Sequence, residues 1–526
     1  MKARRFLAVV LAVGLLLLSL GLGGWWWVLQ RSPLRLQQQA LEVPRTARFM
    51  PRQVGLSLFL CSDGEQPVAY ARAVAPTRLR RQASDAVAAL RDGAFAAAGL
   101  DYRTELASWL GPEIGLGLIA TDPGRPPDGW LLALRSRDAD GARRFLQRFW
   151  QTRSLAGADL QISSYRGMGL ISGRGALPGA DTAPLATALI DEDLVLIASG
   201  RGVLEQALDV SQLDELNLAA SPVVRQAVQR LGRGAALLTA RAAGLSGGLG
   251  LPDMPDGELR TLVASLRPDG TSLELEGFLE RSADVLPWRD RLDPQRGADL
   301  LSGLAADAAS LALIENPAGW PELLQPLLSG VLAPSAGPLP PLLLAADAGP
   351  LLWSQSAAGW LVGTAAEQPP LELLDQALAR QSLIGAPLQL ADQAAVRVWT
   401  SLSAAARGSR RTSQTPELQA ELAGVRAVDG GLAWWAENLA VLAEQRTGHQ
   451  PPRRRLAQFE ELGLPSAPLR WAAGSGRAGE LLQDWRPWRL LTALAAQPLT
   501  PSVQGLSLAL EPDGANLHLK ARLDLG

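Results

Sequence analysis

The sequence predicts an α+β protein: an N-terminal transmembrane helix followed by two tandem repeats, each an antiparallel sheet covered by helices on one face. Three observations carry this reading. An uncharged run, Phe6 to Leu29, follows a basic start. Pro268-Asp269-Gly270 recurs 244 positions later as Pro512-Asp513-Gly514, both times among alternating leucines. Strand-like and helix-like segments recur in the same order around the two copies.

Residues 1–5, Met-Lys-Ala-Arg-Arg, form a basic tail expected in the cytoplasm. The run 6–29 has 24 residues, and roughly 20 suffice to cross a bilayer core as a helix. A cleaved signal would have a shorter apolar region and an Ala-x-Ala-like site. Here the run ends in Gly23-Gly24-Trp25-Trp26-Trp27, and tryptophan favours the membrane interface. The segment reads as a signal anchor. It makes the chain a single-pass membrane protein with its bulk on the extracytoplasmic side, periplasmic or thylakoid-lumenal. Arg31 and Arg35 add positive charge to the far flank and count against that orientation. Residues 30–50 read as a polar linker.

The first repeat spans 51–290. Val54 to Leu60, Ile114 to Ile119 and Trp130 to Leu134 read as strands. Asp138 and Asp140 open a helix over 142–150, and a strand follows at 160–165. Residues 188–199 read as two strands about the acidic turn Asp191-Glu192-Asp193. Helices at 203–208 and from Ser221-Pro222 precede a strand at 235–240 and the first Pro-Asp-Gly hairpin. The second repeat spans 295–526. It offers strands at 351–355 and 360–364, a helix at 370–380, and strands near Leu388 and at 396–402. A hairpin at 425–435, a helix at 437–445 and a strand at 469–473 lead to the second Pro-Asp-Gly hairpin. There Leu517, Leu519, Ala521, Leu523 and Leu525 alternate with polar residues, the period of a half-buried strand. Each proline is expected at the first turn position, with Leu266 facing Leu273 and Leu510 facing Leu517.

Composition narrows function. With 50 basic against 52 acidic side chains the net charge is −2, which gives no basis for nucleic-acid binding. The single cysteine, Cys61, excludes an internal disulfide. One cysteine and two distant histidines, His449 and His518, cannot make a Cys/His zinc set, and no cofactor motif is present. Gly244-Leu245-Ser246-Gly247-Gly248 matches the Gly-x-Ser-x-Gly nucleophile pattern. That motif needs a strand before it, a helix after it and a base within reach; a loop is expected after it, so catalysis by Ser246 is the weakest alternative.

Two surfaces are candidates for recognition. Arg407, Arg410, Arg411, Arg446, Arg453, Arg454 and Arg455 lie in two loops without acids and would suit an anionic lipid or an acidic protein partner. Solvated surface loops are the plainer reading. The second repeat holds nine tryptophans, and Trp434, Trp435, Trp485 and Trp488 would make an aromatic binding surface. Core packing is their commoner use.

Gly99 to Gly117, Asp191 to Asp209 and Ser221 to Leu231 resemble a cyanobacterial, membrane-anchored family of unknown function, domain-of-unknown-function family 3352. The resemblance implies an α+β body in a membrane context, and no reaction or site residues. The reading is a membrane-anchored extracytoplasmic binding or scaffold protein, non-enzymatic, touching the membrane through 6–29. The first alternative is a carrier or chaperone for an apolar ligand or lipid, which needs a cavity of roughly 300 Å³ or more.

Overall fold

The structure, a computed structural model, describes residues 32–120, 128–155, 157, 159–174, 184–250, 259–281, 293–320, 330, 337–390, 395–405, 417–448 and 451–526. The first half runs β1 (Leu56–Leu60), α1 (Gln66–Val74), α2 (Arg80–Ala97), β2 (Leu110–Ile119), β3 (Gly129–Ser136), α3 (Ala139–Leu155), β4 (Asp159–Tyr165), β5 (Met168–Arg174), β6 (Leu185–Ile190), β7 (Leu194–Ala198), α4 (Arg201–Ser211), α5 (Pro222–Leu231), β8 (Ala236–Arg241), α6 (Ala242–Gly247), β9 (Leu259–Asp269) and β10 (Ser272–Arg281). The second runs α7 (Pro294–Gly303), β11 (Ser310–Ile314), α8 (Leu339–Ala346), β12 (Leu351–Ser356), β13 (Gly359–Ala365), α9 (Leu371–Arg380), β14 (Leu383–Gln389), β15 (Ala395–Ala405), β16 (Glu417–Asp429), β17 (Leu432–Ala436), α10 (Leu439–Thr447), α11 (Arg453–Glu461), β18 (Leu469–Gly474), α12 (Ser475–Asp484), α13 (Arg486–Ala495), β19 (Val503–Asp513) and β20 (Asn516–Leu525).

The pairings give the first half the spatial order β4-β5-β6-β7-β3-β2-β1-β8-β9-β10, antiparallel throughout. The second half has the order β14-β15-β16-β17-β13-β12-β11-β18-β19-β20, also antiparallel. Each strand of one order has its counterpart ten strands later in the other. Helices fall at matching points: α3 and α9 after the third strand, α4–α5 and α10–α11 after the seventh, α6 and α12–α13 after the eighth.

The halves are not separate sheets. β10 pairs with β20, joining all 20 strands among the described residues into one sheet. At the centre of this pairing Glu276 lies opposite Lys520. These two residues are 244 positions apart, the spacing of Pro268 and Pro512. The strand therefore meets its own copy about a local two-fold axis, as identical subunits do in an isologous interface.

Three expectations are corrected. The expected N-terminal transmembrane helix gains no support from the structure: among the described residues no helix is long and apolar enough to cross a membrane, and the segment 6–29 lies outside them. Helices do not cover one face only, because the sheet is buried on both. In β7, Leu194, Leu196 and Ala198 enter one apolar core while Val195 and Ile197 enter another. Such a strand reads as a continuous apolar run. The hairpin register also differs: Leu266 faces Leu275, and Leu273 faces Pro268. Leu510 faces Leu519, and Leu517 faces Pro512. The prolines sit in the strands, and Gly270 and Gly514, at φ +57° and +60°, take the first position of two-residue turns. A shift of two residues leaves every side chain on its original face.

Candidate functional site

The join between the halves concentrates ionisable groups. Alternation puts Glu274, Glu276 and Phe278 of β10 on one face with His518, Lys520 and Arg522 of β20, and their leucine neighbours on the other. His518 lies between two carboxylates: Nε2 is 2.9 Å from Glu276 Oε1 and Nδ1 is 2.9 Å from Glu511 Oε1. Its ring stacks on Phe278 at 4.9 Å. Burial disfavours the charged ring, but the hydrogen bonds to Glu276 and Glu511 outweigh it and raise the pKa above the ordinary histidine value. Lys520 Nζ stands 3.7 Å from Glu276. Arg522 donates to Glu274 at 2.6 Å, to Asp269 at 2.9 Å and to Asp524 at 3.1 Å, and pairs with Glu461 of α11 at 3.2 Å. A pocket of about 320 Å³ lies beside α5 over this network, lined in part by Arg233, Arg267, Glu274 and Glu276. His518, Lys520, Arg522 and Arg267 each have an acid partner, so the chemistry of the seam is cohesion of the two halves.

A larger opening lies where α2 of the first half crosses α13 of the second. At Gly93 an added Cβ would stand 1.8 Å from the Leu494 carbonyl oxygen, so only glycine permits this approach. Beside the crossing is an open cleft of about 860 Å³. Ala89, Ala96, Leu100 and Tyr102 line it from one half, Leu494 and Ala495 from the other. Its far wall is shaped by a local stop signal. Gly99, at φ +72°, ends α2, and the Leu100 N–H donates back to the Phe95 carbonyl at 3.0 Å. Asp101 then accepts from the Thr104 N–H at 2.9 Å, while Glu105 accepts from the Asp101 N–H at 2.8 Å. The reciprocal pair fixes the turn Tyr102–Leu106. Arg153 lines the floor; it donates to the Phe149 carbonyl at 3.1 Å and the Gly99 carbonyl at 2.8 Å, and burial lowers its pKa. The cleft can hold an apolar group against small side chains with charge at its rim.

The residues expected at recognition surfaces are distributed otherwise. Arg407, Arg410 and Arg411 lie outside the described residues. Arg446, Arg453 and Arg454 are exposed, whereas Arg455 is buried and donates to Gln458. Arg455 therefore leaves the expected arginine patch: α11 turns it toward the sheet. The aromatic surface is corrected in the same way. Trp434 and Trp435 are successive residues of β17 and point into opposite cores, and Trp488 is buried with Trp435. Trp485 alone of the four is exposed, at 38%, and its Nε1 donates to the Leu249 carbonyl at 2.7 Å, a further link between halves. Arg486 repeats the link to the Gly247 carbonyl at 3.1 Å.

Ser246 lies within the short helix α6, which ends at Gly247 and gives way to a turn as expected, and its hydroxyl donates to the Ala242 carbonyl at 3.5 Å. His449 lies outside the described residues. Asp191 and Glu192 form the expected turn with φ +45° and +64°, and Arg45 bridges Asp191 and Asp193 at 2.9 Å each. Among the described residues no group of three His, Cys, Asp or Glu could hold a metal ion. Sequence reasoning missed the seam. Its one signal was the polar alternation of His518, Lys520 and Arg522, which read as a solvated face because the partner strand was unknown.

Fold and seam together define an internally duplicated α+β protein whose halves share one antiparallel sheet. The chain belongs to the family described as "Protein of unknown function (DUF3352)", whose pattern matches residues 10–310. The match stops at the start of β11, so it covers the first half, and the second half repeats the strand order beyond it. No curated protein matches the sequence. Among solved structures, crystal form III of TP0453 is similar at 8% identity and a TM-score of 0.26, over 49% of this chain and 86% of that one. Crystal form I gives 7% identity and a TM-score of 0.28, over 46% and 81%. Similarity at that level is too slight to carry an argument about this chain.

Proposed function

We propose that the protein is a non-enzymatic binding or scaffold protein acting at the extracytoplasmic face of a membrane in a cyanobacterial host. The supporting observation is the cleft of about 860 Å³ between α2 and α13, to which both halves contribute walls. A partner seated there bridges the halves and senses how they are set against one another. The test is crosslinked capture from native membranes with the wild type and with Ala96→Trp, which fills the cleft from an exposed position. Loss of a specific partner in the variant, with thermal stability unchanged, supports the reading; identical capture by both removes it. The extracytoplasmic placement is checked separately by adding protease to intact spheroplasts, where protection of the folded body would contradict it.

A second reading is a carrier of an apolar ligand, favoured by the small apolar side chains of the same cleft and by a volume above the roughly 300 Å³ that a small-molecule site needs. Native mass spectrometry of the purified chain distinguishes the two, since a carrier retains a co-purifying lipid-like mass that Ala96→Trp displaces.

A further inference from the structure

The 20-stranded sheet ends at β4 and at β14; among the described residues each has one paired edge and one free edge. A free edge presents unpaired N–H and C=O groups, and proteins blunt it with proline, charge or a bulge. β14 carries Pro387. β4 reads Asp-Leu-Gln-Ile-Ser-Ser-Tyr, with no proline and with its one charge at the first residue, Asp159. Its Ile162 is 80% exposed, and Leu155, just before the strand, is 87% exposed. No other large apolar side chain among the described residues is as exposed as these two.

We propose that β4 is a docking edge, and that its occupant is β4 of a second copy of this chain, paired antiparallel about a two-fold axis. Three features single out a second copy. The strand begins at Asp159 and is followed by Arg166, which pairs with Asp209 of its own chain at 3.0 Å, and antiparallel self-pairing brings each Asp159 toward the other chain's Arg166, with uncharged residues between. Ile162 then lies near its own copy, where main-chain pairing and apolar contact coincide. The protein already contains this arrangement: β10 meets its internal copy β20 antiparallel about a local two-fold. Pairing through β4 repeats that geometry between molecules, while Pro387 keeps the β14 end from extending the sheet.

The experiment uses the full-length protein and does not depend on the cleft or its partner. Sedimentation of the wild type across the micromolar range is expected to show a dimer. Ile162→Asp sets like charges across the axis and is expected to weaken association by roughly tenfold or more. Ile162→Cys is expected to give a disulfide-linked dimer on oxidation. Cys61 stays silent in this assay, because burial, with Glu113 and Glu42 nearby, pushes its thiol up to about 11. Ile162 is exposed, so circular dichroism should be unchanged in both variants. A monomeric wild type, a dimer indifferent to Ile162→Asp, or a Cys crosslink formed only between Ile162→Cys and Ile384→Cys chains would each overturn the proposal, the last by showing head-to-tail pairing.

Discussion

His518 shows how one side chain ties the halves together. Its protonated ring is the form that two carboxylates favour, so its contribution is complete below the ordinary value of 6.5 and is lost as pH rises through the raised pKa. Denaturant titrations from pH 5.5 to 9 should show stability falling over that window, and His518→Gln should flatten the fall. Asp347 has the same sign by a different route. It is fully buried, its Oδ1 accepts from the Gly349 N–H at 2.8 Å, and burial pushes its pKa up to about 7. Folding therefore favours its protonated form, and above neutral pH the buried carboxylate is a liability. Asp347→Asn should raise the melting temperature at pH 8 and leave it little changed at pH 4. The tryptophans divide by location: Trp435→Ala removes a fully buried ring stacked on Trp399 and should cost about 3–5 kcal/mol, whereas Trp485→Ala should cost only about 1 kcal/mol, the worth of one hydrogen bond.

Helices and hairpins obey rules that single segments state on their own. α5 begins at Ser221-Pro222, as proline in the first turn allows, and Gly232 follows its end at φ +66°. The β16–β17 turn is Gly430-Gly431, both at positive φ, as a two-residue hairpin with right-handed twist requires. α2 is different, because its defining contact lies in the other half. Nothing local marks Gly93 as the point where α13 arrives. Gly93→Leu should therefore separate the helices and abolish the cleft, lowering the melting temperature, while Gly476→Ala in α12, with open space around its Cβ position, should be neutral or stabilising. Thermal melts of the two variants compare them directly.

Across the entire chain the local two-fold at Glu276 and Lys520 makes a charge-swap test possible. Glu276→Lys places two lysines opposite each other and removes an acceptor from His518; Lys520→Glu does the reverse. Each single change should destabilise by about 1 kcal/mol or more, and the double change should recover the part due to the Glu276–Lys520 pair. A double-mutant cycle in urea reads that coupling. The duplication also explains why the family pattern can stop at residue 310 while the architecture continues. Strand order tolerates sequence drift that a pattern of residues does not, because it asks only for apolar faces and workable turns.

The Pro-Asp-Gly hairpins, the Asp191–Asp193 turn, the helix starts at Ser221 and the α+β character were legible in the chain, because each rests on contacts within some ten residues. The pairing of β10 with β20 was not. It joins segments 244 positions apart, and either strand taken alone reads as half-buried with a solvated polar face. Burial of Trp434, Trp435, Trp488 and Arg455 was hidden for the same reason, since a side chain's surroundings depend on which distant element covers it. Spacing and turn chemistry fix the pieces, and the covering of both sheet faces and the meeting of the two halves fix their neighbours, because burial and pairing are properties of the packed whole.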